Sequence, residues 1–474
     1  MSKGVSAEAA GRIEAIVGAK GIRPAAEAQR YMEDPRDRFT GKAGLVVMPD
    51  STEDLAEVVR LCGAEGIALI PYGGGTGVVA GQLSLDRDDV VILSLERMNR
   101  IREIRADDGV MVVEAGCVLE NVHAAAAEHG LQFPLGMASK GSCTIGGNLA
   151  TNAGGIQVLR HGNARDLCLG IEAVLPSGEI LRELSPLRKN NTGFDLRHLL
   201  IGSEGTLGII TAATLIVKPI EPEVVTVFAA VPGPAEALAL YQGMRRQLGE
   251  AVSGIELMSG FGVGLVTGHF ANLRNPLAEP SEWYVLTELA GHAGLQDNVE
   301  GFFGEEIEAG RIADAVLASS EAQRQALWDL REHTPEANRL TGAICSSDTS
   351  VPIASVKRFV AETHAALAKL HPGLRVNSYG HIGDGNIHHN VFPPEGVTKA
   401  DFVGATPGII EAVRMAINEV TVACDGAISA EHGIGRLKVN DLARYAQPAK
   451  LNTIRAIKAA MDPKNILNPG ALIG

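Results

Sequence analysis

Aromatic residues make up only 4% of this 474-residue chain, and its formal net charge is −14. A surface so acidic and so poor in stacking rings offers neither a cationic track for phosphates nor a platform for bases, so nucleic acid is not an expected partner. Long apolar runs are missing too: no window approaches the roughly 18 consecutive apolar residues of a membrane-spanning helix. The opening stretch MSKGVSAEAAGRIEAIVGAKG lacks an uninterrupted apolar core and carries acids early, which predicts no secretory signal. Six cysteines (Cys62, Cys117, Cys143, Cys168, Cys345, Cys424) include no CxxC spacing. They read as small core residues in a reducing compartment, the cytoplasm, either free there or peripheral to the membrane.

What is present is an ordinary globular composition, 46% hydrophobic and 21% charged, with room for two domains. Glycine is the exception, at 55 residues. The glycines gather in residues 73–81, 136–155 and 202–208, a distribution that implies backbone packed against a large ligand.

In chain order, residues 1–40 predict short helices joined by a charged link. A β-α-β pattern follows: a strand at 44–48, a helix with Leu55, Val58, Val59 and Cys62 at helical spacing, and a strand at 67–70. That strand runs into PYGGGTG at 71–77. Residues 75–80 satisfy the dinucleotide pattern GxGxxA, but GQLSLD follows where a Rossmann fold needs a helix, so that reading is rejected. The loop can still hold a pyrophosphate through successive backbone N–H groups. Residues 134–155, rich in small residues, amides and hydroxyls and poor in apolar bulk, suit a flat polar heterocycle. Further strands are expected at 90–95, 110–115, 167–175, 179–184 and 209–217, with helices at 118–129 and 195–200. Residues 218–222, KPIEP, read as a linker. Beyond it, strands at 224–230, 252–258 and 283–289 alternate with helices at 234–248, 298–308 and 321–332, which predicts an α+β domain on an antiparallel sheet. Helices at 407–424 and 448–461 complete the reading.

The most informative stretch is SYGHIGDGNIHHNVF, residues 378–392. Asp384-Gly385 between two extended runs predicts a type I′ hairpin turn, which needs φ > 0 at both positions. That turn would set His381 opposite His388, close enough for both imidazoles to meet one metal ion, with Asn390 on the same face.

Five segments together resemble the FAD-dependent D-2-hydroxyacid dehydrogenases of the vanillyl-alcohol oxidase flavoprotein superfamily, with D-2-hydroxyglutarate and D-lactate dehydrogenases nearest. They are PYGGGTG, KGSCTIGGNLATNAGG, LRKNNTGFDLRHLLIGSEGTLGII, GHIGDGNIHHN and SAEHGIG. The resemblance implies an α+β fold: a PCMH-type FAD-binding domain of two α/β subdomains, a cap domain on an antiparallel sheet, and a C-terminal segment returning to the flavin. The corresponding boundaries are 1–218, 219–430 and 431–474. FAD would be cradled by Pro71, Gly73, Gly74, Gly75, Thr76 and Gly77, by Pro134, Gly136, Ser142, Gly146, Gly147, Asn148, Thr151, Asn152 and Gly155, and by Glu204, Gly205, Ile209 and Asn468. Covalent relatives use a histidine in the first loop; none stands in residues 71–77, so FAD is expected to be non-covalent. Cys143, where some distant relatives attach flavin, is taken as structural.

The resemblance further implies a metal site, zinc or another divalent ion, on His381, His388 and Glu431. Beside it His432 would be the catalytic base, Asn390 would lie near the substrate, and Arg331 would clamp its carboxylate. Two positions depart from the hydroxyglutarate enzymes, which tend to place Thr and Lys where this chain has Pro335 and Ser346. Losing that cation favours a small acid such as D-lactate. The resemblance implies oxidation of a D-2-hydroxy acid (D-lactate, D-2-hydroxyglutarate or similar) to the 2-oxo acid with hydride transfer to flavin N5, electrons passing to an electron-transfer flavoprotein or a quinone. A homodimer is compatible with this reading. Competing readings are a same-fold oxidase using dioxygen, similar to glycolate oxidase, and a non-catalytic flavin-binding subunit.

Overall fold

The computed structural model describes residues 5–473; the first four residues of the expected N-terminal helices lie outside them. The chain divides into two compact units. One comprises Met1–Gly155, Gly162–Ile220 and Glu431–Gly474, the other Ile156–His161 and Glu221–Ala430.

The first unit is built on two open sheets. In one, Ile22–Pro24 pairs antiparallel with Leu45–Val47, and Leu45–Val47, Val90–Ser94 and Ala68–Tyr72 run parallel. Helix Thr52–Glu65 makes the crossover between parallel strands. Ser51 caps it by accepting from the Asp54 N–H, and Gly66 ends it at φ 70 in the left-handed region. Its buried stripe Leu55, Val58, Val59 and Cys62 covers the sheet as the spacing predicts. Residues 78–89 form no helix, in keeping with the rejection of a Rossmann fold. The second sheet is antiparallel, in the order Ile101–Arg105, Val110–Glu114, Ile209–Ile216, Cys168–Val174, Ile180–Glu183.

Within this unit the chain's last segment is tied back to the parallel sheet. Leu467 bridges Leu69, and the Asn468 N–H donates to the Leu69 carbonyl at 2.8 Å. On helix Pro448–Met461 the buried Lys458 ammonium donates to the carbonyls of Thr206 (2.9 Å) and Leu467 (2.8 Å) and to the Asp462 carboxylate (2.5 Å).

The second unit is an eight-stranded antiparallel sheet. Its order is Asp314–Leu317, Glu223–Val231, Trp283–Gly291, Val252–Ser259, Arg375–His381, Asn386–Phe392, with Cys345–Ser346 and Thr349–Ser350 both on the last strand. Helices cover both faces. Side chains of Pro234–Leu248, Leu295–Glu308 and Val356–Leu370 pack on one face around Val227, Leu257 and Ile387. On the other, Gly260–His269, Glu321–Glu332 and Thr334–Thr341 pack around Phe228, Met258 and Tyr284. The short stretch Ile156–His161 belongs here, Arg160 donating to Glu221 (2.7 Å) and to the Ala290 carbonyl (3.0 Å).

The structure corrects two expectations. The hairpin is not closed by a two-residue turn: His381 pairs with Asn386 and His388 with Tyr379, leaving a four-residue connection. Only Gly385 of the pair Asp384-Gly385 has positive φ, and both of their N–H groups fold back on the His381 carbonyl (3.3 and 3.1 Å). The Asp384 side chain also accepts from the Asn386 N–H, a local bond that a two-residue turn would not leave room for. In residues 134–155, expected to have too little apolar bulk for a core, Ile145–Ala150 is a helix despite its glycine pair, with Ile145 and Leu149 buried in the core.

Replacing Lys458 with alanine strands a buried carboxylate and two carbonyls, and should destabilise the protein by about 3–5 kcal/mol. Denaturant unfolding of the variant measures it; a loss below about 1 kcal/mol, the worth of a surface pair, would show that Lys458 is not the tie described.

Candidate active site

Three neighbouring strands of the second unit build the polar cluster. Register puts Glu256 opposite His381, Met258 opposite Tyr379, and Tyr379 opposite His388. Because side chains alternate along a strand, His381 and His388 share a face as diagonal neighbours, their rings 5.9 Å apart and 80° to one another. The expected pair therefore shares a face, but through a register two residues from the one expected. A slip of two residues preserves the face; a slip of one would have destroyed it. His389, next in sequence, points the other way, with Nδ1 against the Ser378 hydroxyl at 2.8 Å, and burial pushes its imidazole well below the usual range.

Glu256 was not anticipated. It has no exposed surface, and its two carboxylate oxygens serve different partners: one meets Nδ1 of His381, the other accepts from Nε of Arg331 at 2.5 Å. Burial works to raise this carboxyl, but Arg331 and His381 outweigh it and hold it down to about 2. The Arg331 guanidinium lies 4.7 Å from the Tyr379 ring centroid. The signal available in the sequence was an acidic residue in the middle of the apolar run at 252–258, a position that demands a partner once buried.

Asn390 is 3% exposed, and its Nδ2 makes no hydrogen bond. Such a group calls for a ligand or water. Ser346 stands directly across the ladder from it. Two buried imidazoles on one face, those of His381 and His388, offer two ligand atoms to a divalent ion and leave coordination positions for a carboxylate and another molecule. Contact of Glu256 with Nδ1 places the proton there and the lone pair of His381 on Nε2, the arrangement a metal ligand needs.

In the first unit the glycine segments press together. A Cβ on Gly74 would strike the Ser142 carbonyl oxygen, one on Gly155 would strike the Gly136 oxygen, and one on Gly73 would sit 2.9 Å from Thr144 Oγ1. Nearby, Thr144 Oγ1, Asn148 Nδ2 and Ser203 Oγ are buried without hydrogen-bond partners. A cradle with backbone this close and with orphaned polar groups suits a large polar cofactor such as FAD. Other expected cofactor residues spend their side chains on the protein. Thr151 donates to the Gly147 carbonyl, and Asn152 accepts from the Arg165 N–H. The Glu204 carboxylate accepts from the Ile434 and Gly435 N–H groups at 2.8 and 2.7 Å, although burial raises its pKa. Asn468 Nδ2 donates to the Gly81 and Glu204 carbonyls. These four shape loops. Gly205 packs against Pro71, and Ile209 opens a buried strand.

Family models agree with this geometry. Residues 220–472 match the C-terminal domain of FAD linked oxidases, and residues 43–183 match an FAD binding domain. The chain is 38% identical to the D-2-hydroxyglutarate dehydrogenase of Xanthomonas citri pv. viticola, over 94% of this chain and 93% of that protein. Against the mitochondrial D-2-hydroxyglutarate dehydrogenase of Bos taurus, identity is 38% over 98% of this chain and 83% of that one. Among solved structures, p-cresol methylhydroxylase with substrate bound shares the fold at a TM-score of 0.75 and 17% identity, covering 99% of this chain and 98% of that one. Alkyldihydroxyacetonephosphate synthase does so at 0.73 and 18%, covering 99% and 86%. The fold and the cradle define an FAD-binding flavoprotein of the PCMH type. The chain belongs to the FAD-linked oxidase family, and within it to the D-2-hydroxyacid dehydrogenases.

Gly74→Ala should yield protein with little bound flavin, read from its visible absorbance, because backbone rather than a flexible side chain blocks the new methyl. Gly11→Ala is the control: nothing lies within 4 Å of the point a Cβ would occupy there, so flavin content should match wild type. Full flavin in Gly74→Ala would remove this segment from the cofactor site.

Proposed function

We propose that the chain oxidises a small D-2-hydroxy acid to the 2-oxo acid, with FAD bound non-covalently by the first unit and a divalent ion held by His381, His388 and Glu431. The cofactor cradle is assigned to residues 1–218, the substrate side to 219–430, and residues 431–474 carry Glu431 and His432 and return to the flavin side. The observation that carries the metal reading is the pair of buried imidazoles, His381 and His388, on one face with their rings 5.9 Å apart.

Bound FAD supplies the two-electron acceptor for the hydride leaving C2. A divalent ion supplies a Lewis acid that lowers the pKa of the substrate hydroxyl. The residues do the remaining work. Arg331, its plane set by Glu256 and Tyr379, pairs with the substrate carboxylate. Asn390 donates its buried Nδ2 to a substrate oxygen. The His432 imidazole takes the hydroxyl proton as C2 is oxidised. Pro335 and Ser346 supply no cation for a second carboxylate, which favours a substrate with one, such as D-lactate. Electrons then leave to an electron-transfer flavoprotein or a quinone. An oxidase of the same fold is the second reading, and peroxide formed under air in proportion to turnover would favour it. No helix among the described residues is long and apolar enough to cross a membrane.

Three results are expected. Acid precipitation should release FAD into solution, since residues 71–77 hold no histidine; flavin remaining with the denatured chain would contradict this. A chelator should abolish turnover with flavin retained, and zinc, cobalt or manganese should restore it, because such ligands do not select one metal strictly. His388→Ala should mimic the chelated enzyme. His432→Ala should keep its metal by elemental analysis and slow turnover by roughly 10²–10⁴, as for loss of a general base. Metal lost equally from both variants would overturn this division of roles.

A further inference from the structure

We infer that Glu256 is a positioning residue that sets two groups of the active site at once, the tautomer of His381 and the guanidinium of Arg331. The inference rests on the reading of His381 as a metal ligand and Arg331 as the carboxylate clamp. A buried arginine–carboxylate pair kept only for stability is commonly bidentate, two parallel N–H bonds to two oxygens. Here the oxygens are divided: Oε1 lies against Nδ1 of His381, and Oε2 accepts from Nε of Arg331. The division follows from the ladder. Glu256 is the direct cross-strand neighbour of His381, so one oxygen is delivered to that ring by register. The other turns toward helix Glu321–Glu332, on which Arg331 is buried with its guanidinium over Tyr379.

A fully buried carboxylate shared in this way couples its partners. If Glu256 shifts to suit one, it moves the other. Metal affinity and substrate affinity therefore share an anchor that touches neither the ion nor the acid. Across the ladder from His388 stands the Tyr379 ring, 5.1 Å between centroids.

The test uses the flavin-loaded enzyme. Zinc affinity is measured by competition with a chelator for wild type, Glu256→Gln and Arg331→Gln, together with KM and kcat for the best D-2-hydroxy acid. Glu256→Gln should weaken zinc binding by about 10–100-fold, the usual effect of removing a ligand's orienting carboxylate, and should raise KM while flavin is retained. Arg331→Gln should raise KM and, through the released Glu256, weaken zinc binding as well, by less than Glu256→Gln does. In metal-free wild type, nitrogen NMR of labelled histidine, assigned with His381→Gln, should show His381 protonated on Nδ1. That measurement decides the matter if Glu256→Gln fails to fold. Equal zinc affinity in Glu256→Gln and wild type, or a His381 proton on Nε2, overturns the inference alone. Wild type that binds no divalent ion overturns the metal reading, and the inference with it.

Discussion

A carboxylate with no exposed surface stays ionised inside a protein only where a cation and hydrogen-bond donors meet it, and Glu256 meets that condition through the Arg331 guanidinium and the Nδ1–H of His381. Much of the second unit serves this contact. Strand register brings His381 alongside, helix Glu321–Glu332 delivers Arg331, and Tyr379 closes over the guanidinium. Removing Arg331 would leave a buried charge uncompensated. The arrangement therefore resists the drift that would blur a constellation carried by loops.

The first unit solves a different problem, holding a large ligand by its backbone. Its glycines are placed where a methyl group would strike another main chain, as at Gly74 against Ser142 and Gly155 against Gly136. Four of the side chains expected beside the cofactor, those of Thr151, Asn152, Glu204 and Asn468, bond to the protein. Glu204 and Asn468 stitch residues 434–435 and 81 into place, and so fix the loop that begins at Glu431. The main chain and the unpartnered groups of Thr144, Asn148 and Ser203 are left to meet a ligand's polar atoms.

Strands and long amphipathic helices were legible from periodicity. Helices Pro234–Leu248, Glu321–Glu332 and Pro448–Met461 start and stop where their patterns do: two open on Pro and one is capped by Ser320, and Gly249, His333 and Asp462 follow them. Helix Gly260–His269 was not, because its glycines argue against helix, while Val263 and Val266 bury it all the same. Of the site, both hairpin histidines were readable because period-2 alternation survives an error of two in the register. Glu256 was not: its partners stand 75 and 125 residues away in sequence, and only the fold brings them together.

The central claim is that a divalent ion on this histidine face makes the oxidation of a D-2-hydroxy acid possible while FAD sits independently in its own cradle. Anaerobic mixing of the enzyme with D-lactate, followed by the visible absorbance of the flavin in a single turnover, tests it most directly. With metal present the D acid should bleach the flavin and the L acid should not. After chelation the flavin should stay bound and oxidised. Bleaching by D-lactate at the same rate in the chelated, metal-free enzyme would contradict the account.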